Sequence, residues 1–231
     1  MKGTAYGVGV GPGDPELMSL KAARLIKEND IIAVPGKVAE DSLAYKIAAG
    51  AVPAIAEKEL LAIDMPMTKD SAKLAAAHQA GAKLMEKYLD QGKNVVFLTL
   101  GDSTVYCTFS YLQHILEADG YKVELVPGIP SFCAAAARLG ISLTEWDEML
   151  HVVPALHKAG NIGELPGNCV LMKSASRMKE VKEALKASGR SVQAVENCTL
   201  PGEKVYRSLE EIPDDAGYFS LIIAKKQERI R

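Results

Sequence analysis

Nine residues near the start constrain the fold more than any others: Gly7-Val8-Gly9-Val10-Gly11-Pro12-Gly13-Asp14-Pro15. They continue an apolar run that begins at Tyr6. They precede Leu20, Ala23 and Ile26, spaced for one face of a helix with Ser19 as its N-cap. A strand that runs into a loop too rich in glycine and proline for regular structure, then into a helix, opens a β-α unit. The loop invites comparison with the dinucleotide fingerprint G-x-G-x-x-G and fails it. Counted from Gly7, the third glycine position holds Pro12; counted from Gly9, it holds Asp14. Pro12 has no N–H to offer a diphosphate, and no acidic residue ends the second strand to meet a ribose. Two readings stay open for this loop alone: close backbone approach to a ligand that is not a diphosphate, or a tight strand–helix turn.

The β-α rhythm persists through the first half. Residues 31–34 read as a strand stopped by Pro35-Gly36, and 42–49 as a helix stopped by Gly50. A short strand over 60–65 and a long helix over 71–89 follow. Residues 95–100 form a continuous apolar run, the pattern of a strand buried on both faces of a parallel sheet. A helix over 108–118 and a strand over 122–126, ending at Pro127-Gly128, complete the half. Beyond it, a helix over 132–139 gives way to short strands near 151–153, 169–173, 192–196, 204–208 and 219–225. One clear helix, 178–187, lies among them and stops at Gly189. The expected class is α/β in two domains. Residues 1–128 carry a parallel sheet and residues 129–231 a mixed one.

Composition removes several classes of function. Lys and Arg total 27 against 29 Asp and Glu, a formal net charge of −2, which lacks the basic excess of a nucleic-acid binder. Aromatic residues are 6% of the chain with a single Trp, too few for a base-stacking surface. No run approaches the ~18 apolar residues of a membrane helix, and the N-terminus lacks the apolar stretch of a signal peptide. The four cysteines, Cys107, Cys133, Cys169 and Cys198, form no C-x-x-C pair and read as reduced thiols. The expectation is a cytoplasmic protein with no nucleic-acid or membrane partner and no bound metal.

Two further motifs sit at strand ends. Leu100-Gly101-Asp102-Ser103-Thr104-Val105-Tyr106 closes the strongest strand, at the edge where open α/β sheets bind ligands. Asp102 there is either a carboxylate presented to a ligand or a cap for the next helix. Val126-Pro127-Gly128-Ile129-Pro130-Ser131-Phe132 closes another strand. Ser131 is placed to cap a helix whose N-terminus suits an anion.

These three turns, in this order, resemble those of the tetrapyrrole methylases, the class III S-adenosylmethionine-dependent methyltransferases of cobalamin and sirohaem synthesis. The family pattern is G-x-G-P-G-D-P, then G-D-P-x-x-Y, then V-P-G-x-x-S; Ser103 stands where the family carries proline. The likeness continues through Val170-Leu171-Met172-Lys173, Glu196-Asn197-Cys198-Thr199, Leu200-Pro201-Gly202-Glu203 and Tyr218-Phe219-Ser220, and so covers nearly the whole chain. Within the family the chain is most similar to the branch that methylates carbon 20 of precorrin-2 or of its cobalt-containing relative, cobalt-factor II. The Tyr218-Phe219-Ser220 strand favours the cobalt form.

The resemblance implies a two-domain α/β/α fold with the active site in the cleft between a parallel and a mixed sheet. It implies S-adenosylmethionine as methyl donor, a tetrapyrrole acceptor, no protein-bound metal and a homodimer. It also implies Pro12, Gly101, Asp102, Ser103, Val105, Pro130, Ser131, Met172, Asn197 and Ser220 as the cofactor-binding set. Asp102 is the catalytic candidate, as a base or as a group that orients the donor. The acceptor carries many carboxylates, so Lys173, Arg177 and Arg207 are candidates to meet them. His151 and His157 flank Pro154 and are further candidates for contact with the acceptor or its metal. The competing expectations are a methylase with another acceptor, such as uroporphyrinogen, and a tetrapyrrole- or nucleotide-binding protein without turnover.

Overall fold

The computed structural model describes residues 1–154 and 159–226. The chain divides into two compact units, Met1–Pro130 and Ser131–Arg231, two residues beyond Gly128.

In the first unit five strands, β1 (Thr4–Gly9), β2 (Ile31–Pro35), β3 (Glu59–Ile63), β4 (Val95–Thr99) and β5 (Lys122–Val126), form a parallel sheet in the order β3-β2-β4-β1-β5. The apolar run of β4 takes the central place because both its faces are covered. Val96 and Leu98 pack with Val8, Ile32 and Val34 under α1 (Leu20–Glu28) and α2 (Leu43–Ala51). Val95 and Phe97 pack with Ile31 and Ala33 under α3 (Ser71–Leu89) and α4 (Phe109–Ala118). That is the period-two alternation of a strand read by two opposite helical layers.

The glycines of β1 follow from the same alternation. A Cβ on Gly7 would stand 2.3 Å from the ring of Phe109, so a side chain there would evict the aromatic that anchors α4. Ser19 caps α1 through its hydroxyl, accepting from the Ala22 N–H at 3.2 Å. Gly50, expected to stop a helix, lies inside α2, which ends instead at Val52-Pro53. The reason is packing: a Cβ on Gly50 would stand 2.5 Å from the Pro15 ring. This glycine lets the Gly11–Pro15 loop lie against the helix.

The chain leaves β1 for β2 through α1 on one layer, and leaves β4 for β5 through α4 on the other. The two connections therefore part in opposite directions above adjacent strands. That is the topological switch point at which open parallel sheets form a crevice.

The second unit opens with α5 (Ser131–Leu139), followed by β6 (Leu150–Pro154), β7 (Asn168–Met172), α6 (Met178–Ser188), β8 (Ser191–Glu196), β9 (Lys204–Tyr206) and β10 (Ser220–Lys225). The sheet order is β6-β7-β10-β8-β9, with β6 and β7 parallel and every other pair antiparallel. Cys169, Leu171, Ala194, Ile222 and Ala224 pack beneath Met178, Val181 and Leu185 of α6. Alanine-rich α5 contacts β8 and β10. α6 ends at Gly189, whose φ of 63° is a left-handed helix stop.

Arg190 follows that stop and is buried without an acidic partner among the described hydrogen bonds and ion pairs. Its guanidinium donates to three carbonyls, those of Ile162 at 3.3 Å, Leu165 at 2.5 Å and Gly167. Replacing it strands three acceptors. Arg190→Met will destabilise the protein by ~2–4 kcal/mol in urea titration; a loss below ~0.5 kcal/mol would refute this role.

Candidate functional site

The loops after β1, β4 and β5 are brought together because β1 lies between β4 and β5. They are then tied by their own backbones. Gly11 donates to the Gly101 carbonyl at 3.1 Å and Gly101 donates back to Gly11 at 2.7 Å, an isolated antiparallel bridge. Both residues have positive φ, 84° and 72°, which a side chain would strain. The third loop enters as closely. A Cβ on Gly128 would stand 2.2 Å from the Gly101 carbonyl oxygen, and one on Gly9 would stand 2.7 Å from the Gly128 nitrogen. Four glycines from three loops thus stack backbone on backbone.

Side chains lock the same junction. Asp102, 7% exposed, has both carboxylate oxygens engaged. Oδ1 accepts from the Thr104 N–H at 2.8 Å and the Thr104 hydroxyl at 2.5 Å, and Oδ2 accepts from the Gly128 N–H at 2.9 Å. Burial alone would raise its pKa. The Thr104 hydroxyl and the N–H groups of Thr104, Gly128 and Val105 outweigh that and hold it below the usual carboxylate value. Ser103 donates its hydroxyl to the Val126 carbonyl at 2.9 Å. Thr104 was not among the expected residues, although a hydroxyl two places after an Asp is the signal of an Asx-type turn.

Ser103→Ala leaves the buried Val126 carbonyl short of a donor. The expected cost is about 1 kcal/mol in urea titration, with roughly five-fold weaker binding of S-adenosylhomocysteine by calorimetry. Unchanged values in both would show that the tie to Val126 does not matter.

The electrostatics of this edge are distinctive. The loops 9–15, 101–106 and 126–131 contain no Lys or Arg, and their charged residues are Asp14 and Asp102. Pro12, two residues before Asp14, is buried and gives no N–H. A diphosphate would find two carboxylates here and no cation. A ligand with cationic centres finds the opposite. Val105 is half-buried, and Tyr106, next to it, has a φ of 49°. Pro130 is half-buried and Ser131 is the first residue of α5.

In the second unit, β10 runs antiparallel between β7 and β8, so its start meets their ends. That edge gathers Met172, Asn197 and Ser220. Three non-glycine residues there hold positive φ: Lys173 at 58°, Asn197 at 52° and Thr199 at 62°. Each costs on the order of 1–2 kcal/mol, and such strain concentrates at functional edges. Ser220 donates its hydroxyl to Gly217 at 2.7 Å, and the Thr199 N–H donates to Glu203 at 2.9 Å.

The expected acceptor-binding cations stand differently. Arg207 donates to the Leu139 carbonyl at 2.6 Å, capping the C-terminus of α5, where a cation is favoured without any ligand. Arg177 pairs with Glu180 one turn along. Lys173 is half-buried beside Met172. His151 lies on β6 with Nε2 buried and unpartnered among the described residues; His157 lies outside them. Among the described residues no three His, Cys, Asp or Glu side chains are grouped to hold a metal ion, and no helix is long and apolar enough to cross a membrane.

The family model described as tetrapyrrole (corrin/porphyrin) methylases matches residues 4–213. A Methanocaldococcus jannaschii protein named as a probable cobalt-precorrin-2 C(20)-methyltransferase is 35% identical over 97% of this chain and 96% of its own length. The cobalt-precorrin-2 C(20)-methyltransferase of Salmonella typhimurium is 32% identical over 98% of each. A precorrin-2 C(20)-methyltransferase of Sinorhizobium is 29% identical over 96% of this chain and 94% of its own length. Among solved structures, a cobalt precorrin-4 methyltransferase superposes with a TM-score of 0.74 at 23% identity, over 96% of this chain and 94% of that one. The uroporphyrin-III C-methyltransferase of Thermus thermophilus, solved with S-adenosylhomocysteine, superposes with a TM-score of 0.70 at 24% identity, over 96% and 92%. The last two likenesses speak for the fold.

Proposed function

Because the chain belongs to the tetrapyrrole (corrin/porphyrin) methylases, we propose that it transfers a methyl group from S-adenosylmethionine to carbon 20 of cobalt-factor II in corrin-ring synthesis. The observation that carries the reading is the loop cluster at the switch point, built of backbone, glycine and two carboxylates, with no cation for a phosphate. Whole-length similarity at 35%, 32% and 29% to C(20)-methyltransferases supports the position methylated, and the Tyr218-Phe219-Ser220 segment is what favours the cobalt-bearing acceptor.

The donor fits the chemistry of these loops. Its sulfonium and ammonium groups are cations, and Asp102 and Asp14 are the charges at hand. When bound, it supplies a methyl group already activated by a positive sulfur; S-adenosylhomocysteine is the leaving group and the acceptor carbon gives up its proton to solvent, so toward the donor the protein's task is to hold and align it. In the first unit that task falls to Pro12, Gly101, Asp102, Ser103, Val105 and Pro130. Ser131, at the start of α5, suits a carboxylate. In the second unit it falls to Met172, Asn197 and Ser220.

Alignment is worth ~7–11 kcal/mol at best, enough to supply much of a methyl-transfer rate. Asp102 is assigned to orientation. A carboxylate held below its usual pKa by at least three donors is a poor proton acceptor and a good fixed negative charge.

Incubation with S-adenosylmethionine and precorrin-2, with and without cobalt, tests the proposal by mass and optical spectra. One methyl gained by the cobalt-bearing acceptor is the expected result. Transfer only to the metal-free acceptor would assign the other branch. Binding of S-adenosylhomocysteine without transfer to either acceptor would leave a methylase of different specificity. A dinucleotide bound in place of S-adenosylhomocysteine would overturn the reading.

A further inference from the structure

Glu196 ends β8 beneath the strained Asn197, is 8% exposed, and belongs to no expected site. Both its oxygens are occupied. Oε1 accepts from the Gly217 N–H at 2.8 Å and Oε2 accepts from the Tyr206 hydroxyl at 2.9 Å, with Lys204 Nζ 3.9 Å away. A Cβ on Gly217 would stand 2.5 Å from Oε1, so a side chain there would push the carboxylate from its present place. The Gly217 carbonyl in turn receives the Ser220 hydroxyl at 2.7 Å and the Ser220 N–H at 3.1 Å. The Asn197 N–H meets the Phe219 carbonyl at 3.2 Å. One carboxylate therefore reaches Asn197 by the chain and Ser220 through Gly217.

We propose that Glu196 is a positioning residue that sets Asn197 and Ser220 for the methyl donor. The inference rests on the reading of those two residues as donor contacts. The first unit uses a similar device: Asp102, in the loop three residues after β4, is buried and accepts a glycine N–H from a neighbouring loop and a hydroxyl beside it. Burying a carboxylate is unfavourable before its hydrogen bonds are counted, and an apolar residue ending β8 would fold more readily. What the carboxylate adds is a defined loop. Its effect on Tyr206 is visible too: burial, then the bond to Glu196, push that phenol to about 12.

Calorimetry of the full chain with S-adenosylhomocysteine tests the role. Glu196→Ala is expected to weaken binding about ten-fold. Glu196→Gln should restore most of it, because its carbonyl accepts from Gly217 while its amide donates to the Tyr206 oxygen. Arg190→Met destabilises the same unit from another place and should leave affinity within two-fold, which separates positioning from stability. Glu196→Ala binding like the parent, or Arg190→Met weakening binding as much, would overturn the inference alone. If Glu196→Ala does not fold, Tyr206→Phe decides: weaker binding by roughly three-fold supports the role, and parental binding overturns it. A parent chain that binds no S-adenosylhomocysteine overturns the functional reading first.

Discussion

Gly128→Ala will cost about 3 kcal/mol or more in urea titration and lower the affinity for S-adenosylhomocysteine by about a hundred-fold. The added methyl would lie 2.2 Å from the Gly101 carbonyl oxygen, 2.8 Å from the Gly9 carbonyl carbon and 2.9 Å from the Gly9 oxygen. All three are backbone atoms in the central strands or in a loop bridged to Gly11, so none can rotate away as a side chain would. Relief must come by moving the third loop off the other two. That movement breaks the bond from the Gly128 N–H to Asp102. Gly120→Ala is the control. Gly120 has a φ of 77° and nothing within 4 Å of its absent Cβ, so alanine there pays only left-handed strain, ~1–2 kcal/mol, far from the loops. Comparable affinity loss in the two variants would show that crowding at the junction is not what positions the donor. Parental stability of Gly128→Ala would show that the loops are not packed this closely.

How much of this junction could be read from the chain depends on the range of the contacts. The place of β4 was legible because an apolar run bounded by Asn94 and Gly101-Asp102 has few other uses. The role of Pro12 was legible as a negative, since a residue without an N–H spoils a phosphate cradle. Other features rest on partners distant in sequence. Gly50 reads locally as a helix stop, yet its purpose is the Pro15 ring, which no local pattern announces. Arg207 reads as a cation awaiting an acceptor, yet it caps α5 from 68 residues away. Asp102 and Gly128 sit in separate motifs 26 residues apart, and only parallel pairing of β1 with both β4 and β5 brings them together. Glu196 carries no local signal of its role, since a charged residue at a strand end is ordinarily a solvated one and its partners Tyr206 and Gly217 lie 10 and 21 residues away.

Asp102→Ala will lower turnover by about a hundred-fold, the cost of a misplacement near 1 Å at a reacting centre. Asp102→Asn will recover little, since both oxygens face fixed N–H donors, Thr104 on one side and Gly128 on the other, and an amide must turn its NH2 toward one of them. The pH dependence separates orientation from proton transfer. The folded pKa lies below the ordinary value of 3.8, so the stability this carboxylate contributes is present above that value and is lost as pH falls through the folded pKa. The stability gap between the parent and Asp102→Asn should therefore hold constant above about pH 5 and narrow below about pH 4. The profile of kcat/KM should show no inflection from Asp102 between about pH 5 and 8. A general base poised for neutral pH would behave in the opposite way, with an acid limb near pH 6 that disappears in Asp102→Asn. Finding that limb would return Asp102 to proton transfer. A flat profile with a hundred-fold loss in Asp102→Ala leaves orientation of the donor as its work.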